Sequence, residues 1–357
     1  MAEADSVRPE WHEALRRRAG ERDASLASVR RDLTILAEGG LATAPLPEAA
    51  GGQGWSDGPQ AVAQLMAVLR QLGGIDLSLA RLFEGHVNAI KLIGRYGAAA
   101  EASLVWDAVR AGQWTGVWGA DDNPAVTFDG RLLHGRKRFA SGLGLVSLVV
   151  VIVSEGDAPL MVLARADDEH RASLASWNVA GMEASRSGTY DFSGVPGRPF
   201  GQPGDYLVEP AFEGGVWRYC AAHLGAAEAL RDAAALHVQQ KGAAPTADAD
   251  RLVETALACE TARLWIEAAA RRVEAAPRGD TGAAALALLC REVTERACVE
   301  VMRQVDRTVG TAGHARGCVF DRMRRDLGLF LRQADLDGKW RRAADRLAER
   351  GWSAEAL

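Results

Sequence analysis

Cysteine is scarce in this sequence and poorly placed for cross-links. Cys220, Cys259, Cys290, Cys298 and Cys318 all fall in the C-terminal half, are odd in number and include no CxxC pair. This argues against a disulfide framework or a cysteine zinc site and fits reduced thiols in a cytoplasmic protein. The seven histidines are scattered. His86 lies in a helical pattern beside Glu84 and His223 in an apolar stretch, and neither has a second ligand at metal spacing. GxSxG, HExxH, the P-loop and the Rossmann glycine fingerprint are all missing. The apolar stretch Val146–Val153 is far too short to span a membrane, and the N-terminus has no apolar signal core. Charge of one sign is also lacking: 42 Lys and Arg oppose 47 Asp and Glu, a net −5 with no footprint for nucleic acid. An enzyme built this way would take its chemistry from an organic cofactor.

What is present is ordinary for a soluble globular protein. The chain has 357 residues, 48% hydrophobic and 25% charged, enough for one large core or two to three smaller ones. Leu26, Val29, Leu33 and Leu36 form an apolar stripe within a first helical stretch from about Pro9 to Glu38, which Gly39-Gly40 ends. After a Pro- and Gly-rich loop, a second helix follows Pro59, and Gly73-Gly74 is expected to break it. Asp76 then caps a third helix running towards Tyr96, and a shorter helix covers about Ala98 to Ala111.

From Gln113 to about Val208, Gly, Pro, Trp and β-branched residues replace this texture. Strands are expected at Trp114–Trp118, Arg131–Phe139, Val146–Val153, Leu160–Ala164 and Gly188–Phe192. Turns at Asp129-Gly130, Glu155-Gly156-Asp157 and Pro203-Gly204-Asp205 separate or end them. The pattern is that of a small β-barrel or sandwich. From Pro210 the chain is helical again and Ala-rich, so its helix axes can approach closely in a bundle. The fold class expected is α+β, with a helical N-terminal domain (1–112), a middle β-domain (113–209) and a C-terminal four-helix bundle (210–357).

Six patches along this layout occur together in order. They are Leu46-Pro47-Glu48 with Gly51-Gly52-Gln53-Gly54, Arg136 to Gly142 (RKRFASG), and Gly181-Met182 through Phe192-Ser193-Gly194-Val195. Gly201 to Leu207, Val309-Gly310-Thr311-Ala312-Gly313 and Arg322-Met323-Arg324-Arg325-Asp326-Leu327 complete the set. In this order they resemble the acyl-CoA dehydrogenase family of flavoproteins, across nearly the whole chain. The resemblance implies FAD as cofactor, an acyl-CoA or other small-molecule substrate and a homodimer or homotetramer, while the charge balance and the short apolar runs point to no nucleic-acid or membrane partner. It also implies that Trp118 or Phe139 walls the flavin, that Ser141 and Gly142 supply hydrogen-bond donors near its N5 and ring carbonyls, and that Gly310 and Gly313 approach the pyrophosphate. The bland alternatives are a core Phe139, a plain turn at Ser141-Gly142, and helix punctuation at Gly310 and Gly313.

The departures concern the chemistry. Family members that desaturate acyl thioesters use a glutamate to remove the α-proton while flavin N5 takes the β-hydride. Here Ala334 occupies the commonest position for that base, and Trp217, beside Arg218, the alternative one; neither can act as a base. Asp335, Asp337 or Glu213 could substitute, with an exposed helix-end carboxylate as the plain alternative for each. The family's Gly-Ser-Asp loop is replaced by Trp118 to Pro124, and its Arg-x-x-Phe-Gly segment by Gln240 to Pro245. The leading expectation is an FAD-dependent desaturase of an acyl thioester with Asp335 as base. The alternatives are a flavin-dependent monooxygenase of the same fold, which needs no α-proton base, and a non-catalytic relative.

Overall fold

The strand Val146–Val153 is apolar at nearly every position because both of its faces are covered. Val149, Val151 and Val153 face one part of the core, and Leu148, Val150 and Ile152 face a second cluster built on Ile90, Ile93, Val105 and Val109. A strand sandwiched in this way reads as a continuous hydrophobic run. The structure, a computed structural model, describes residues 9–19, 25–154, 158–242, 246–333 and 335–351. The expected turn at Glu155-Gly156-Asp157 and the position of Ala334 lie outside them.

Among the described residues five α-helices come first: α1 (Glu10–Arg18), α2 (Leu26–Glu38), α3 (Val62–Ile75), α4 (Leu77–Tyr96) and α5 (Ala99–Arg110). The single helix expected over Pro9–Glu38 is therefore two. Asp76 caps α4 as expected, its carboxylate accepting the Leu79 N–H at 2.9 Å. Gly73-Gly74 does not break α3, which continues to Ile75. These glycines instead let α3 meet the later helix α6 (Trp217–Gln240). A Cβ on Gly73 would lie 2.0 Å from the Ala222 carbonyl oxygen, and one on Gly225 1.9 Å from that of Arg70.

Among the described residues nine strands follow: β1 (Trp114–Trp118), β2 (Thr127–Phe128), β3 (Leu132–His134), β4 (Arg136–Lys137), β5 (Val146–Val153), β6 (Leu160–Arg165), β7 (Ala172–Ser173), β8 (Thr189–Asp191) and β9 (Val195–Phe200). One sheet has the order β1-β5-β6-β9-β3-β2, with β1 parallel to β5 and the other pairs antiparallel; the second has the order β4-β8-β7. The strand expected over Arg131–Phe139 is split between the two sheets at Gly135, whose φ is +106°. Strand β9 was not expected, since Pro196 and Pro199 both lie in it.

The remaining helices are α6, α7 (Thr246–Ala275), α8 (Thr281–Val309), α9 (Val319–Phe330) and α10 (Leu336–Glu349). Helices α6, α7, α8 and α9 pack on one another, and α10 lies along α8. Helix α7 begins at Thr246, and Asp280 caps α8 through the Gly282 and Ala283 N–H groups. No helix among the described residues is long and apolar enough to cross a membrane.

Candidate functional site

A cavity of about 780 Å³ opens where α4, the β4–β5 turn, the start of α6 and the α9–α10 corner meet. The signature Arg322 to Asp326 holds this corner together. Asp326 accepts the Met182 N–H at 2.7 Å, Arg322 donates to the Ile75 carbonyl at 3.1 Å, and Arg325 donates to the Ala180 carbonyl. Gly181 is required beside it, because a Cβ there would sit 2.5 Å from the Arg325 carbonyl oxygen.

Trp118, Phe139, Ser141 and Asp335 all line the cavity. Lys137, whose ammonium donates to the carbonyls of Gly119 and Ile152 and to Asp121, buries β4 and leaves Phe139 to turn outward. Phe139 sits at φ 53°, a left-handed conformation costly for a bulky residue, and is 56% exposed. Its ring meets Trp177 edge-on at 6.4 Å, and the Arg138 guanidinium lies 5.0 Å from its centroid. An aromatic held exposed in a strained conformation at a cavity wall suits a flat ligand. Trp118 itself is buried against Tyr190 and Phe192, and its indole N–H donates to the Ser141 carbonyl at 3.0 Å.

Ser141 is positioned by backbone pairing between Ala140 and Gly188, which sets it beside Ser187. The hydroxyl oxygens of Ser141 and Ser187 are 2.9 Å apart, and those of Ser187 and Ser185 are 2.8 Å apart. Ser185 donates to the Met182 carbonyl at 2.6 Å. Gly142 lies behind this chain at φ +85°, its N–H donating to the Ser185 carbonyl, and is not on the cavity wall. Gly310 caps α8 at φ +67°, and Gly313 lies in the following turn; neither reaches the cavity.

The carboxylates of the site are engaged. Glu84, buried on α4, accepts from Arg81 at 2.7 Å and from Arg218 at 3.4 Å, while Arg218 also donates to Asn88. Glu213 lies between Arg342 at 2.7 Å and Arg346 at 2.8 Å. Asp335 is an exposed rim residue bonded to Arg342 at 2.9 Å, a hydrogen bond that holds its carboxyl below the ordinary range. Asp337 is exposed and off the cavity wall. Trp217 is buried, its indole donating to Glu274 at 3.2 Å. Among the described residues, six cationic side chains against three carboxylates line the cavity, a balance that suits an anionic ligand group.

Neither helical histidine faces this chemistry. Burial pushes His86 down to about 4; its Nε2 lies 2.8 Å from the Ala42 carbonyl and its Nδ1 accepts from the Thr115 N–H. Burial takes His223 down to about 3, with its ring edge-on to Phe330. No group of three or more metal-ligating side chains occurs among the described residues. Sequence reasoning missed Trp177, Ser185 and the Glu84–Arg218 pair as cavity residues.

Over its full length the architecture matches solved structures. Butyryl-CoA dehydrogenase from Megasphaera elsdenii superposes with a TM-score of 0.78 at 17% identity, covering 95% of this chain and 96% of that one. The chain has the acyl-CoA dehydrogenase fold. Within that fold, TdsC from Paenibacillus sp. A11-2, solved with FMN and indole, superposes with a TM-score of 0.79 at 19% identity over 96% of both chains. By sequence, the chain is 29% identical over 228 residues to dibenzothiophene monooxygenase of Rhodococcus erythropolis, covering 58% of this chain and 52% of the relative. The chain therefore spans about half the length of the curated relatives it matches. No family model matches it.

Proposed function

We propose that the protein is a flavin-dependent monooxygenase of the acyl-CoA dehydrogenase fold, acting on a small, largely apolar molecule. The observation that carries this reading is that, among the described residues, no uncommitted carboxylate faces the cavity. Asp335 and Glu213 are held by arginines, Glu84 is shared by two, and Trp217 is turned towards Glu274. A desaturase needs such a base and an oxygenase does not. Similarity to the Rhodococcus monooxygenase supports the same choice over acyl-thioester desaturation.

When bound, reduced flavin supplies two electrons to oxygen, so that with two protons one oxygen atom leaves as water and the other enters the substrate. A separate NAD(P)H-dependent flavin reductase would provide the reduced flavin. Phe139 and Trp177 offer the aromatic wall, and Ser141 the polar contact. FMN is the preferred form over FAD: TdsC was solved with FMN, and the family's Gly-Ser-Asp loop and Arg-x-x-Phe-Gly segment are replaced here. Arg138 fits the phosphate, since no carboxylate among the described residues pairs with it.

The assembly inferred is a homo-oligomer through α7, where Val253, Leu257 and Leu264 stand more than half exposed; light scattering gives its size. Free cysteines, four of them buried, fit a reducing cytoplasm. The deciding experiment supplies FMN, a flavin reductase, NADH and oxygen with indole or dibenzothiophene, and separately an acyl-CoA with an electron acceptor under anaerobic conditions. Oxygenated product in the first arm supports the proposal. Turnover in the anaerobic arm alone overturns it.

A further inference from the structure

Proton directions in the serine chain are determined by its buried end. The Met182 carbonyl can only accept, so the single Ser185 hydroxyl proton is committed to it at 2.6 Å. Ser185 must then accept from Ser187 at 2.8 Å, and Ser187, its proton spent, must accept from Ser141 at 2.9 Å. Ser185 and Ser187 are 1% and 3% exposed, so water does not compete for these protons. Only lone pairs of Ser141 remain for the cavity. This reverses the donor role that the sequence suggested for Ser141.

We infer that the Ser141–Ser187–Ser185 relay makes the cavity selective for the reduced form of the flavin. The inference rests on the flavin reading above. Reduced flavin carries an N–H at N5, whereas oxidised flavin has only a lone pair there. A hydroxyl wired as acceptor satisfies the first and opposes the second. Ser185 and Ser187 border the cavity but are almost fully buried behind Ser141, so they are positioning residues that act through its hydroxyl. Removing either frees a proton: without Ser187, Ser141 can rotate its own hydroxyl towards the ligand. Without Ser185, Ser187 can donate to Ser141 and release it likewise.

The test is an anaerobic titration of the full chain with FMN and with dithionite-reduced FMN, read by flavin absorbance and by the midpoint potential of the bound flavin. Wild-type protein is expected to bind the reduced form about tenfold or more tighter. Ser187→Ala is expected to shrink that ratio by about fivefold, the worth of one hydrogen bond. For a two-electron couple this lowers the midpoint potential by about 20 mV. Ser185→Ala breaks the same relay one residue further on and serves if the Ser187 variant does not fold. An unchanged ratio in the variants, or equal binding of both forms by wild type, overturns the relay and leaves the flavin reading standing. Binding of neither form overturns both.

Discussion

Asp326 on α9 accepts the backbone N–H of Met182 at 2.7 Å, and this contact ties the helical bundle to the cavity wall. Burial, and then the charge of Asp76, push the Asp326 carboxyl up to about 6. The same group in the unfolded chain titrates near 3.9. Between these values the folded protein keeps a proton that the unfolded chain has released. The stability carried by that proton is complete below about pH 4 and is lost as pH rises through 6. Asp326→Asn keeps the acceptor oxygen and removes the titration. Relative to wild type, its unfolding free energy is expected to rise by about 2–3 kcal/mol from pH 4 to pH 7. Urea melts at both pH values check this, and a constant difference would mean an Asp326 ionised throughout.

Arg138 is assigned to the flavin phosphate, so its loss should be felt only by ligands that carry one. Arg138→Ala is expected to weaken FMN binding about tenfold, the scale of one charge-assisted hydrogen bond, and to leave riboflavin nearly unchanged. Equal losses for both would assign Arg138 to stacking on the ring of Phe139 instead.

Asp335 separates the two catalytic readings. Its carboxyl, kept low by Arg342, is ionised at any working pH and lies on the exposed rim. Asp335→Asn is expected to leave oxygenation within about twofold of wild type, since an exposed ion pair contributes little. Anaerobic acyl-CoA turnover by wild type that collapses in this variant would restore the desaturase reading with Asp335 as base.

Phe139 combines backbone strain with a wall position. Glycine tolerates φ 53° freely, so Phe139→Gly relieves about 1 kcal/mol of strain while sacrificing little buried area. The variant is expected to melt no lower than wild type and to bind flavin about tenfold more weakly, the worth of a lost aromatic contact. A large drop in melting temperature would make Phe139 a structural residue.

How far the sequence could be read depended on whether each signal was local. The β5 run, the Asp76 cap and the order of helices, strands and helices are written in neighbouring residues, and were legible. Strand β9 was hidden because its two prolines oppose local strand rules, and partners on both sides override them. Of the proposed site, Phe139 and Ser141 were visible through one short patch. The serine relay was not, because Ser141 and Ser187 are 46 residues apart and are brought together only by tertiary backbone pairing, including that of Ala140 with Gly188 and of Gly142 with Ser185.

The misread glycines of α3 give the last prediction. Gly73 was expected to break its helix, yet it lies inside continuous α3, and it and Gly225 of α6 each have a facing backbone carbonyl where a Cβ would be. Backbone cannot retreat as a side chain can, so an added methyl must push α3 and α6 apart along the whole crossing. Gly225→Ala is expected to destabilise the fold by about 2–3 kcal/mol despite alanine's higher helix propensity. Gly94, exposed within α4 with nothing within 4 Å of its Cβ position, is the matched control. There the propensity acts alone, and Gly94→Ala is expected to stabilise by about 0.5–1 kcal/mol. Opposite signs in thermal melts of the two variants establish close helix crossing as the reason for Gly225; a stabilised Gly225→Ala would refute it.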